Sequence, residues 1–186
     1  MVRELRYIIA FLGLSVLTQV IATILNKLNG NNLSVLHVYT ILEFNLIALF
    51  YFSFFGHFYH RRLVPVLMLI FSGFAVFNSL FIQKVTSFNT YARGLEAIGV
   101  IALSLLCFYK MLVELEAKRP EKQPVFWINT GFLFYFAGSL ILFILSNLIL
   151  KENKTFNYLS WGLHSVFLAL LYIFIGIGLW YSPHQK

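Results

Sequence analysis

Long apolar runs alternate with short polar breaks along this chain. Six runs, at residues 5–27, 34–56, 63–83, 91–113, 126–149 and 157–181, each reach the roughly 20 mostly apolar residues that a helix needs to cross a bilayer. They are more than twice the length of a spanning strand and lack its strict alternation, so the pattern predicts helices rather than a barrel. The breaks are turn-like or charged: "NKLNGNN", "GHFYHRR", "QKVTSFNT", "ELEAKRPEKQP" and "KENKTFN". The expected fold is an all-α integral membrane protein, a bundle of six transmembrane helices in one domain over residues 1–186. The longest break, residues 114–124, is a charged hairpin containing proline.

Composition agrees. The chain is 60% hydrophobic and 11% charged, against about 25% charged in soluble domains. A net charge of +7 would raise nucleic acid as a partner in a soluble protein. Here the bases cluster at the ends of the apolar runs, where they orient a membrane protein instead, and no nucleic-acid partner is expected. Arg3, Arg6, Arg61, Arg62, Lys110, Lys118, Arg119, Lys122 and Lys186 fall on the side of the chain ends. Lys27, Lys84, Arg93, Lys151 and Lys154 fall on the other. This excess places both termini in the cytoplasm. Trp127, Trp180, Tyr7 and Tyr181 fall near the interfaces, where amphipathic rings settle. The opening "MVRELRYIIAFLGLSVL" starts as a signal peptide does, but no small-residue cleavage site follows, so it reads as the first retained helix. The one cysteine, Cys107, excludes a disulfide within the chain and reads as a buried thiol.

The even runs share a motif. Each has a tyrosine and then, four to six residues on, a polar group just after leucine: Leu42-Glu43, Leu95-Glu96 and Leu163-His164. Three tandem helical hairpins related by an axis along the membrane normal would produce this. Glu43, Glu96 and His164 would then be equivalent, all in the outer half of the bilayer.

An ionisable group inside the hydrocarbon costs several kcal/mol and faces a bundle interior, a cavity or a partner. At about 100° per residue, Tyr39, Thr40 and Glu43 share an arc of the second helix, with His37 one turn earlier, and Asn45 lies nearly opposite. Arg93 and Glu96 are three residues apart and can form a structural ion pair. Gly99 continues that side. On the sixth helix Asn157, Ser160, Trp161 and His164 share a face, and Gln19, Asn78 and Asn147 are candidate hydrogen-bonding neighbours. The expectation is a polar pocket where these faces converge, taking a small solute or an ion. Glu43, Glu96 and His164 are also a candidate set for a divalent metal ion such as zinc. His57 and His60, three apart, read as an interfacial anchor.

No H-E-x-x-H, nucleophile elbow or phosphate loop is present, which weighs against an enzyme. The leading function is a solute- or ion-binding module, a membrane receptor or transporter subunit. Alternatives are a stand-alone transporter or channel, a metal-dependent intramembrane hydrolase, and a structural subunit docking through residues 114–124 and the "HRR" corner. Partners would be the lipid bilayer, the solute or ion, and a membrane or cytoplasmic protein or a second copy of the chain. In size and span count the chain is similar to the S components of energy-coupling-factor transporters. It departs from them at "LRYIIAFLGLSVLTQV", which lacks their alanine motif near the start.

Overall fold

A computed structural model describes residues 3–28, 30–114 and 119–182. The chain forms α1 (Leu5–Lys27), α2 (Leu33–Phe55), α3 (Leu63–Phe77), α4 (Thr90–Val113), α5 (Pro124–Ile149) and α6 (Lys154–Trp180). α3 continues into a wide π-helical turn, Asn78–Ile82, so the third span covers Leu63–Ile82. All six spans are long and apolar enough to cross a membrane, and every end lies within three residues of the expected one. Residues 115–118 of the expected 114–124 hairpin lie outside the described residues. Its remainder makes a short 3-10 turn, Pro120–Lys122.

Local chemistry sets the helix ends. The Asn31 side chain accepts the Leu33 N–H at 2.8 Å and Asn153 accepts the Phe156 N–H at 2.9 Å, so each satisfies a donor that the first turn leaves open. Proline opens α5, where its missing N–H costs nothing. α2 stops at Gly56, whose φ of 56° suits glycine.

The bundle is built around α2, α4 and α5. α1 and α3 lie against α2, and α6 lies against α5. The three sequential hairpins are unequal: α5 and α6 pack extensively, whereas α3 and α4 barely touch. Phe50, Tyr51, Val100, Leu103, Ile128, Phe132 and Phe136 fill the centre, and Phe11 meets the Phe132 ring edge-on at 5.7 Å, tying α1 to α5. Leu69, Val16 and Ile141 are among many large apolar residues left on the outside, as a lipid-facing surface requires. Glycine explains the tight α5–α6 seam. A Cβ at Gly138 would stand 2.5 Å from the Phe167 ring, and one at Gly178 would stand 2.7 Å from Ile128 Cγ1.

The side of the bundle holding the chain ends is called here the N-terminal face, and the opposite one the far face. At the N-terminal face the buried Lys110 ammonium donates to the carbonyls of Phe54 (2.6 Å) and Phe55 (3.1 Å), closing the C-terminus of α2 with a positive charge. Lys110→Met is expected to cost about 1–2 kcal/mol, because those carbonyls lose both the bonds and the charge. Thermal unfolding in detergent measures this, with Lys110→Arg retaining most of the stability.

Candidate functional site

α4 enters the bundle at the far face, and its fourth residue is Arg93. One turn into the membrane the guanidinium cannot stay in water, and it is 6% exposed. Its Nη1 donates to Glu43 Oε2 of α2 and, at 2.7 Å, to Glu96 Oε2 one turn along α4. Its Nη2 reaches the Tyr135 hydroxyl of α5 at 3.4 Å, and the Phe143 ring lies 4.5 Å away as a cation–π partner. A single guanidinium therefore joins three helices. Both carboxylates are almost fully buried. With both ionised, the trio has a formal charge of −1. Glu96 Oε1 has no hydrogen-bond partner among the described residues.

Two polar arms leave this centre. On one side the Tyr39 hydroxyl donates to Glu43 Oε1 at 3.0 Å and lies 3.1 Å from Ser15 Oγ of α1. On the other, the Tyr135 hydroxyl lies 3.1 Å from His164 Nε2 of α6. Both arms reach the wall of one cleft. This hollow of about 630 Å³ opens between α1, α2 and α6; Arg93, Tyr39 and Tyr135 line it together with His164, Ser15 and Tyr172. Gln19 lies farther along the α1 wall, toward the far face. Glu43 and Glu96 sit behind this wall, so they set its charge without lining it.

The expected site residues divide accordingly. Tyr39, Glu43, Glu96 and His164 belong to one hydrogen-bonded chain through Arg93 and Tyr135. Trp161 packs beside it, its ring 5.7 Å from that of His164. His37 and Thr40 serve the far-face connection instead. His37 lies 2.8 Å from Ser79 Oγ in the π turn and 3.1 Å from the Ser87 carbonyl, and Thr40 Oγ1 accepts from Asn89 at 2.8 Å. Ser160 is buried but does not line the cleft. Asn45 faces away from Glu43 and donates to Ser72 of α3 at 2.9 Å, so α2 has two packed faces.

A metal at Glu43, Glu96 and His164 does not fit this arrangement. The Arg93 guanidinium occupies the space between the carboxylates, and Tyr135 stands between it and His164. Among the described residues no three His, Cys, Asp or Glu side chains converge as ligands would. The carboxylates are the partners of a cation that the chain itself supplies. His57 and His60 likewise bond separately, to Arg61 and to the Arg62 backbone N–H.

Sequence reasoning missed Ser15, Tyr135 and Tyr172. Their types are cheap enough in a bundle to draw no notice. It also missed a second polar layer nearer the N-terminal face. There the Tyr51 hydroxyl donates to Asn129 Oδ1 at 2.8 Å and lies 2.7 Å from Ser104 Oγ. A buried asparagine on α5 was the available signal for it.

Fold and site together define a multi-pass helical membrane protein with an arginine–dicarboxylate cluster beside a polar, aromatic cleft. Compared with protein-family models, curated proteins and solved structures, the chain matches none.

Proposed function

We propose that the protein is a solute- or ion-binding module, a receptor or transporter subunit, whose ligand occupies the cleft between α1, α2 and α6. The observation that carries this reading is the convergence of Arg93, Tyr39, Tyr135 and His164 on one hollow, whose aliphatic lining is Val16, Val20, Leu36 and Leu168. Cavities of this size with a few convergent polar groups are the usual form of a small-molecule site. Holding helices together would not require those groups to reach a cavity wall.

The wall chemistry selects among ligands. Tyr39, Tyr135 and Tyr172 offer ring faces and hydroxyls, and the trio behind them has one carboxylate more than it has guanidinium groups. A proton, a monovalent cation or the ammonium group of an organic solute would balance that charge. The excess of bases beside the chain ends supports cytoplasmic termini. Arg93 and Lys110 are both buried inside α4 and are not loop bases, so the count becomes four on the far side against eight. The cleft would then open toward the outside.

A solute library screened by thermal shift tests this directly. At least one compound, organic cations included, is expected to stabilise the wild type. His164→Gln and Tyr135→Phe are expected to weaken its binding by about tenfold or more, roughly 1.4 kcal/mol each, while the helices stay folded. Stabilisation that persists unchanged in both variants would place the ligand elsewhere. A screen without any stabilising compound would favour a structural subunit.

A further inference from the structure

We propose that the N-terminal face carries a phospholipid site that selects a zwitterionic headgroup with a primary ammonium, of the phosphoethanolamine type. A cavity of about 300 Å³ lies there between the start of α1, the end of α2 and the following loop. Arg3, Glu4, Tyr7, Ser53, His57 and Arg61 line it. Neither Arg3 nor Glu4 takes part in an ion pair among the described residues. Glu4 Oε2 is buried with no hydrogen-bond partner among the described residues, although Glu4 stands just before α1 and could cap it. Arg61 is held against the His57 ring, with Nε 3.1 Å from Nδ1 and Nη2 2.8 Å from Nε2.

Two guanidinium groups and a carboxylate whose Oε2 has no partner among the described residues, around a single hollow, call for a ligand carrying both signs. A phosphodiester matches the arginines, as guanidinium–phosphate geometry favours. A primary ammonium supplies the N–H donor that Glu4 Oε2 lacks among the described residues. A choline head has no N–H to donate, and a glycerol head leaves that carboxylate without a cation.

The apolar half of the ligand also has a place. Phe52 lines both this cavity and a second hollow, of about 420 Å³, between α2 and α3. Leu49, Pro65, Met68 and Leu69 wall that second hollow, which runs to the Asn45–Ser72 hydrogen bond. From Phe52 to Asn45 the helix rises about 10 Å, enough for the first part of an acyl chain. A charged cavity and an apolar groove that meet at Phe52 match the head and chain of a lipid rather than a free phosphate compound.

Native mass spectrometry of the full chain from nanodiscs tests the proposal. The discs contain equal parts phosphatidylethanolamine, phosphatidylcholine and phosphatidylglycerol. Phosphatidylethanolamine is expected to be retained about tenfold over the other two. Glu4→Gln is expected to abolish that preference, Arg61→Ala to reduce retention of all three, and Leu69→Trp to reduce it by filling the groove. Arg61 and Leu69 are exposed and Glu4 is half-buried, and unchanged circular dichroism checks each fold. Equal retention of the three lipids by the wild type overturns the proposal, as does a preference that survives Glu4→Gln. Displacement of the lipid by millimolar phosphoethanolamine, with Leu69→Trp binding as wild type, overturns the lipid and leaves a soluble ligand.

Discussion

Arg93→Met is expected to remove about 3–5 kcal/mol of stability, the scale seen when one partner of a buried ion pair is deleted. The whole fold is worth only about 5–15 kcal/mol in typical domains, so this variant should unfold at far lower denaturant. The cause is what remains. Glu43 and Glu96 both receive their charged hydrogen bond from Arg93 Nη1. Without it, two carboxylates face each other in low dielectric with no cation between them. Arg93→Lys keeps the charge on one nitrogen but loses the Nη2 contact to Tyr135. It should fall between wild type and methionine. Unfolding in mixed detergent micelles, followed by circular dichroism, ranks the three.

Gly138→Leu is expected to give the second largest loss, about 1–3 kcal/mol or more, by overpacking. The Phe167 ring already occupies the space that a Cβ would need, so α6 must move away from α5 or Phe167 must leave its rotamer. Gly138→Ala should show the same effect at smaller size. Tyr135 and His164 meet across this same helix pair, so displacement should also loosen the cleft wall. Heat denaturation reads the stability, and ligand affinity reads the wall.

The architecture was largely legible in the chain. Spanning helices declare themselves by length and apolarity, and their ends by residues with one local role, such as Gly56, Pro124 and Asn153. The site was legible in part. Glu43, Glu96 and His164 stood out because ionisable groups are costly in hydrocarbon, and the three do lie on one polar network. Its centre did not stand out. Arg93 read as a local partner of Glu96 and as a base near the far face, because helical spacing reveals pairs within a turn only. Its bond to Glu43 joins residues 50 apart, through the packing of α2 on α4.

His37 and Thr40 lie away from the cleft for a related reason. An arc of a helix specifies a direction, not what lies there. Tyr39 turns toward α1 while Thr40 meets the far-face connection at Asn89. The metal reading treated carboxylates and imidazole as a donor set without an internal cation to claim the acids.

A double-mutant cycle between Glu43 and Arg93, with stabilities measured in lipid, tests the central claim most directly. Glu43→Leu, Arg93→Met and the combination of the two are compared with the wild type. A shared guanidinium predicts a coupling energy of about 2 kcal/mol or more, with the double variant more stable than Arg93→Met alone. Additive losses, with coupling within about 0.5 kcal/mol of zero, would contradict it.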